Sequence, residues 1–119
     1  MKYRVGVIGR TGGGGYGHSL DSAWLDLPNT EVVAVADGDQ TGLAAAAERL
    51  GVVNTFLDYR KMLDQVQLDI VAVCERWIDQ HCDITLAAME RGIHVFMEKP
   101  FCRTLEEADK IVDVSERTG

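Results

Sequence analysis

The sequence predicts a doubly wound α/β domain, a parallel sheet with helices on both faces. Three observations carry that expectation. Apolar strand-like runs alternate with helix-like segments five times along the chain. Those runs are apolar throughout, so both faces of the sheet must be covered. A glycine-rich stretch, Gly9 to Gly17, directly follows the first run. The strand order expected for such a chain is 3-2-1-4-5.

Each element has its own signal. Tyr3 to Ile8 reads as a buried strand ending at Gly9. His18 to Leu27 reads as a helix, because Leu20, Ala23, Trp24 and Leu27 follow the i, i+3, i+4, i+7 spacing. Pro28-Asn29 breaks it. Glu31 to Ala36 is a second buried strand. Thr41 to Leu50 is a helix with Thr41 as N-cap and Gly51 as its stop. Val52 to Phe56 is a short strand and Tyr59 to Gln65 a short helix. Leu68 to Cys74 is another continuous apolar strand. Asp79 to Arg91 is a helix stopped by Gly92, and Ile93 to Met97 a fifth strand. Thr104 to Arg117 is the last helix, opened by a Thr104-x-x-Glu107 capping box. A sixth strand would follow, and the chain stops there. Residues 1–119 are therefore expected to be one domain of a longer protein.

Composition narrows the partners. The net charge of −7, from 12 basic and 19 acidic residues, disfavours nucleic acid and anionic membranes. It leaves phosphate ligands open, because backbone N–H groups bind them without lysine. The longest apolar runs, such as Val32 to Ala36, are far short of the roughly 20 residues that cross a bilayer. Cys74, Cys82 and Cys102 form no C-x-x-C pair, and no H-E-x-x-H occurs, so neither a disulfide framework nor a metal site is expected. A reducing, cytoplasmic setting fits.

Three constellations carry chemistry. The first is the loop Gly9-Arg10-Thr11-Gly12-Gly13-Gly14-Gly15-Tyr16-Gly17. In a dinucleotide fingerprint, glycines allow a tight turn, a close approach of pyrophosphate and packing of the following helix. Thr11 occupies the second glycine position of a regular G-x-G-x-x-G. The nearest match is Gly9, Gly12 and Gly15, a loop one residue longer. Arg10 and Tyr16 are candidates to touch phosphate or adenine. The second constellation is Asp37 at the end of the second strand, 20 residues after Gly17. Its carboxylate can accept from both hydroxyls of an adenosine ribose and would repel a 2′-phosphate, which favours NAD over NADP. The plainer role is to open an Asp37-Gly38-Asp39 turn. The third is Met97-Glu98-Lys99-Pro100 after the fifth strand. A lysine at a strand's carboxyl end can polarise a hydroxyl or stabilise alkoxide charge. Its plainer role is a surface cation paired with Glu98.

The glycine-rich turn followed by His18, the Ala36-Asp37 strand end and Gly92-x-His94-Val95-x-x-Glu98-Lys99-Pro100 together resemble one family. It is the glucose–fructose oxidoreductase/inositol dehydrogenase/rhizopine-catabolism (Gfo/Idh/MocA) family, and the likeness covers only its N-terminal, NAD-binding Rossmann domain. The resemblance implies an oxidoreductase that transfers hydride between a secondary alcohol of a sugar or cyclitol and NAD. It implies that Lys99 approaches the substrate hydroxyl and the nicotinamide ribose, and that Pro100 fixes the turn that aims it. The loop after the fourth strand would approach the nicotinamide half of the cofactor. Here that loop runs Cys74-Glu75-Arg76-Trp77 where the family commonly has Thr-Pro-Asn, and only His81 keeps the later histidine. The family's second domain, which bears the proton-transferring histidine, lies outside these 119 residues. An open sheet edge is a reason to expect self-association into a homo-oligomer.

Two other functions fit parts of the sequence. A dinucleotide-binding module without catalysis needs only the loop and Asp37. An S-adenosylmethionine methyltransferase also uses a glycine loop and an acid after strand two, but has no use for Glu98-Lys99-Pro100. A P-loop NTPase is excluded by the absence of Gly-Lys-Ser/Thr. None of Tyr3, Tyr16 and Tyr59 begins the Tyr-x-x-x-Lys pair of short-chain dehydrogenases.

Overall fold

The computed structural model describes residues 2–17, 20–75, 77–99 and 102–118. His18, Arg76 and Pro100, three residues singled out in the sequence, lie outside the described residues. Five strands form one sheet: β1 (Tyr3–Ile8), β2 (Thr30–Ala36), β3 (Thr55–Phe56), β4 (Ile70–Val73) and β5 (His94–Met97). All pairings are parallel and the order is β3-β2-β1-β4-β5. The helices are α1 (Gln40–Leu50), α2 (Tyr59–Gln65), α3 (His81–Glu90) and α4 (Leu105–Thr118).

The sheet is apolar on both faces, as the unbroken hydrophobic runs require. On one face Ile8, Ala36, Val71 and Val73 pack with Met62 of α2 and Ile84 of α3. On the other, Val7, Val35 and Ala72 pack with Leu43, Ala46 and Leu50 of α1. Successive strand residues thus serve opposite layers.

Four local expectations are corrected. The helix expected over His18 to Leu27 is, among the described residues, only a 3-10 turn at Ala23–Asp26. Its bonds run i to i+3, Leu25 N–H to Ser22 O and Leu27 N–H to Trp24 O. Side chains take up nearby carbonyls: the Trp24 indole N–H donates to Leu20 O at 2.7 Å and the Thr30 hydroxyl to Trp24 O at 2.8 Å. Leu20 and Trp24 still pack on the α1 face, so their apolar spacing records burial and not helix. The N-cap of α1 is Asp39, whose carboxylate accepts from Gly42 N–H at 2.7 Å, and Thr41 lies inside the helix. The third strand pairs only through Thr55 and Phe56, and Val53 is 93% exposed. The α4 cap forms in a shifted version. Thr104 Oγ1 accepts from Glu107 N–H at 3.1 Å, while Glu107 accepts from Arg103 N–H, one residue before the expected partner. Gly51 ends α1 in the left-handed region, φ 69°.

The two candidate caps can be told apart. Asp39→Ala is expected to cost about 1 kcal/mol of stability. Thr41→Ala should stay within about 0.5 kcal/mol, both read from urea denaturation midpoints.

Candidate functional site

Parallel register brings the site together. Phe56, Ala36, Ile8, Val73 and Met97, the last residues of β3, β2, β1, β4 and β5, are partners in one row across the sheet. The next residue of four strands continues the ladder. Asp37 N–H donates to Phe56 O at 3.0 Å, Gly9 N–H to Ala36 O at 3.0 Å, and Cys74 N–H to Ile8 O at 2.8 Å. Glu98 N–H donates to Val73 O at 2.8 Å. The glycine loop, Asp37, the Cys74-Glu75 loop and Glu98-Lys99 therefore share the carboxyl edge of the sheet. The order changes direction between β1 and β4, where open α/β sheets bind ligands.

The glycine loop closes on itself. Arg10 and Gly15 exchange both backbone hydrogen bonds, at 3.1 and 2.9 Å, and Gly13 N–H also donates to Arg10 O. Gly12 and Gly15 carry positive φ, 83° and 61°, with open space where a Cβ would sit. Gly15 spends its N–H and C=O on Arg10, so of these two positions Gly12 is the one whose exposed backbone can face a phosphate. Gly17 is constrained differently: φ is +65°, and a Cβ there would overlap Glu98 Oε2 and Cys74 O.

Asp37 is 2% exposed and densely bonded. It accepts from the Thr11 hydroxyl at 2.6 Å, the Tyr16 hydroxyl at 2.8 Å and Asp39 N–H at 2.9 Å. Thr11 N–H lies 3.2 Å from both carboxylate oxygens. Burial, then the bond to Asp37, pushes the Tyr16 phenol far above its ordinary range.

Arg10 leaves the loop toward the segment after β4. Its guanidinium donates to Asp79 at 2.6 Å and to Glu75 at 3.3 Å, and lies 5.8 Å from the Trp77 ring centroid. Trp77 is exposed, and its N–H donates to Gly13 O at 3.4 Å. Glu75 is 1% exposed. Burial pushes its carboxyl pKa up, against the opposing pull of Arg10. The Arg10 hydrogen bond holds the Asp79 carboxyl below its usual range. A cleft of about 390 Å³ lies between Gly9-Arg10, Asp37-Gly38, Asp58 and Glu75. Among the described residues its charged walls are Asp37, Asp58, Glu75 and Arg10.

The remaining sequence candidates divide. Cys74 has a fully buried side chain packed with the α1 layer, and burial raises its thiol pKa well above normal. Its side chain is therefore no wall of the cleft. His81 is buried with Nε2 2.6 Å from Glu75 O, where it braces the loop after β4. Glu98 is buried, accepts from Lys99 N–H at 3.0 Å and lies against Gly17. The Lys99 side chain is exposed at the end of β5. Gly14, with φ 90°, completes the loop between Gly13 and Gly15. Sequence reasoning missed Asp58 and Tyr59, which line the cleft. The expected order 3-2-1-4-5 contained the signal, because residues after β3 must stand beside those after β2. Among the described residues, no group of three or more His, Cys, Asp or Glu converges as a metal site. No helix of the described residues is long and apolar enough to cross a membrane.

Comparison with known proteins agrees with this geometry. Residues 3–119 match the Gfo/Idh/MocA family described as "Oxidoreductase family, NAD-binding Rossmann fold". The chain is 33% identical over 97 residues to a D-apiose dehydrogenase of Paraburkholderia graminis, covering 82% of this chain and 26% of that protein. It is 32% identical over 124 residues to a glycosyl hydrolase family 109 protein of Shewanella sp., covering 97% of this chain and 26% of that protein. Among solved structures it resembles myo-inositol 2-dehydrogenase from Lactobacillus plantarum. That match has a TM-score of 0.83 and 25% identity, over 99% of this chain and 34% of the other. The chain thus spans about a quarter of the length of the curated relatives it matches.

The Arg10 bridge gives a pH-dependent expectation. Glu75 binds its proton more tightly folded than unfolded, so its ionisation costs stability as pH rises through the carboxylate range. Arg10 opposes that cost. It also lowers Asp79, whose contribution is present above the ordinary aspartate pKa and fades as pH falls. Arg10→Met is therefore expected to lose less stability near pH 3 than near pH 7, by about 1 kcal/mol, the exposed Asp79 contact being screened by solvent. Urea unfolding at the two pH values checks it.

Proposed function

The chain belongs to the Gfo/Idh/MocA oxidoreductase family as an NAD-binding Rossmann domain, and from that premise we propose that it holds NAD along the row of strand ends for hydride transfer with a secondary alcohol of a sugar or cyclitol. The observation that carries the reading is the shared carboxyl edge, where the glycine loop, Asp37 and Lys99 stand in line. When bound, NAD supplies a hydride acceptor at nicotinamide C4. Backbone at Gly12, in the loop closed by the Arg10–Gly15 pair, meets the pyrophosphate, and Asp37 accepts from the adenosine ribose. Lys99 polarises the substrate hydroxyl and steadies developing alkoxide charge. Residues 1–119 act as the cofactor domain, and a further domain contributes the proton acceptor and the substrate pocket. The carbohydrate class is supported by relatives named for D-apiose and myo-inositol. A cytoplasmic setting is supported by the cysteines, all three of which are free.

A second reading comes from the relative named as a glycosyl hydrolase. Net hydrolysis leaves the nicotinamide pool unchanged, whereas dehydrogenation accumulates NADH. Product analysis with free sugars, cyclitols and glycosides separates the two.

Cofactor choice is tested by thermal unfolding. NAD at 100 times its Kd stabilises by about 2.7 kcal/mol, a rise on the order of 10 °C for a domain near this size. NADP is expected to give little rise, because its 2′-phosphate meets Asp37, Asp58 and Glu75. An equal rise with NADP would remove the ribose role of Asp37.

Lys99→Met should leave the NAD-induced rise intact. It should lower turnover of the protein from its full reading frame by about 100-fold or more. Undiminished turnover would remove Lys99 from the reaction.

A further inference from the structure

Thr11 is the anomaly of the glycine loop. It stands where a regular G-x-G-x-x-G places its second glycine, and it turns its side chain into the site. Its hydroxyl is 2.6 Å from Asp37 Oδ2, and a Cβ on Gly42 of α1 would overlap it. The hydroxyl is thus wedged between the first turn of α1 and the carboxylate. Asp37 takes bonds from Thr11 N–H, the Thr11 hydroxyl, the Tyr16 hydroxyl and Asp39 N–H. A carboxylate offers about four lone-pair positions, so these donors fill it. A ribose diol can bind Asp37 only by taking the place of one of them.

The four donors differ in how easily they yield. The Thr11 and Asp39 N–H groups are fixed by the backbone. Tyr16 is fixed on both faces, with Gly9 under its ring and the Arg49 guanidinium 5.0 Å from the ring centroid. Arg49 is itself anchored by Asp21 at 2.6 Å. Thr11 is exposed and releases its hydroxyl by rotation about one bond. Its O–H to carboxylate bond is also the same chemistry as a bond from a ribose hydroxyl.

We propose that the Thr11 hydroxyl is a built-in competitor for the adenosine ribose at Asp37, so that Thr11 sets NAD affinity while Tyr16 is the positioning residue that holds the carboxylate in place. Ribose binding is then a one-for-one exchange: the Thr11 hydroxyl leaves Asp37 and a ribose hydroxyl enters. The inference rests on the ribose role of Asp37.

Isothermal titration of the full chain with NAD tests it, using T11V, T11S and Y16F beside the wild type. Thr11→Val removes the hydroxyl at nearly constant volume and should lower the Kd about three- to tenfold. Thr11→Ser keeps the hydroxyl and should retain the wild-type Kd, which separates competition from packing. Tyr16→Phe should raise the Kd about tenfold. NAD binding with equal or weaker affinity in T11V than in wild type overturns the competition and leaves the cofactor site standing. Tighter binding by Y16F would make Tyr16 the competitor and overturn the division of roles. No NAD binding by any of the four proteins overturns the ribose reading and the inference together.

Discussion

The parallel ladder that ends on Phe56, Ala36, Ile8, Val73 and Met97 is the constraint on which the rest depends. Because the strands run the same way and stop in one row, residues far apart in sequence, such as Ile8 and Val73, become neighbours at one edge. Burial of both sheet faces holds the row in register. A one-residue slip of β1 would exchange Val7 and Ile8 between two differently shaped layers. The functional edge is thus stabilised by the core, and the loops beyond it need not be stable by themselves.

Charge on that edge is arranged around backbone donors and buried acids. Among the described residues lining the cleft Arg10 is the cation, and it is shared between Glu75 and Asp79. In the proposed site phosphate is met by N–H groups of the glycine loop, which a −7 chain can still supply. The same acidity works against a second phosphate on the ribose. The proposed preference for NAD rests on separating two kinds of positive charge, backbone dipoles and side-chain cations.

What the sequence made legible follows the range of the forces involved. The strands were readable because continuous apolar runs such as Val32 to Ala36 and Leu68 to Cys74 require burial on both faces. Their order placed Asp37 and Lys99 at one edge. The segment after the glycine loop was misread, because Leu20 and Trp24 bury the same face from a 3-10 turn as from a helix. The cap of α1 was misplaced by two residues, since Asp39 and Thr41 are both good caps and only backbone geometry chooses. Tyr16 and Thr11 were visible as loop residues, but their bonds to Asp37 depend on the path of a loop that no periodicity encodes. His81 is buried against the main-chain carbonyl of Glu75, a contact with no sequence signature.

That loop also shows why a glycine count is a poor guide to ligand contact. Gly9 lies under the Tyr16 ring, Gly13 under the Arg10 side chain, and Gly17 against Glu98 and the Cys74 carbonyl. In each case the space a side chain would need is filled by the protein. Gly12 and Gly15 differ, because a Cβ at either would meet nothing. The loop therefore serves two purposes with one residue type. Three glycines let Tyr16, Arg10 and Glu98 pack close to the main chain and fix the loop to β2, β4 and β5. Two leave main chain facing outward. The closed hairpin from Arg10 to Gly15 joins these functions, since the bonds that tie its ends also fix where the open backbone points. The path of the loop thus depends on the side chains that crowd it from within as much as on the glycines that leave its backbone open.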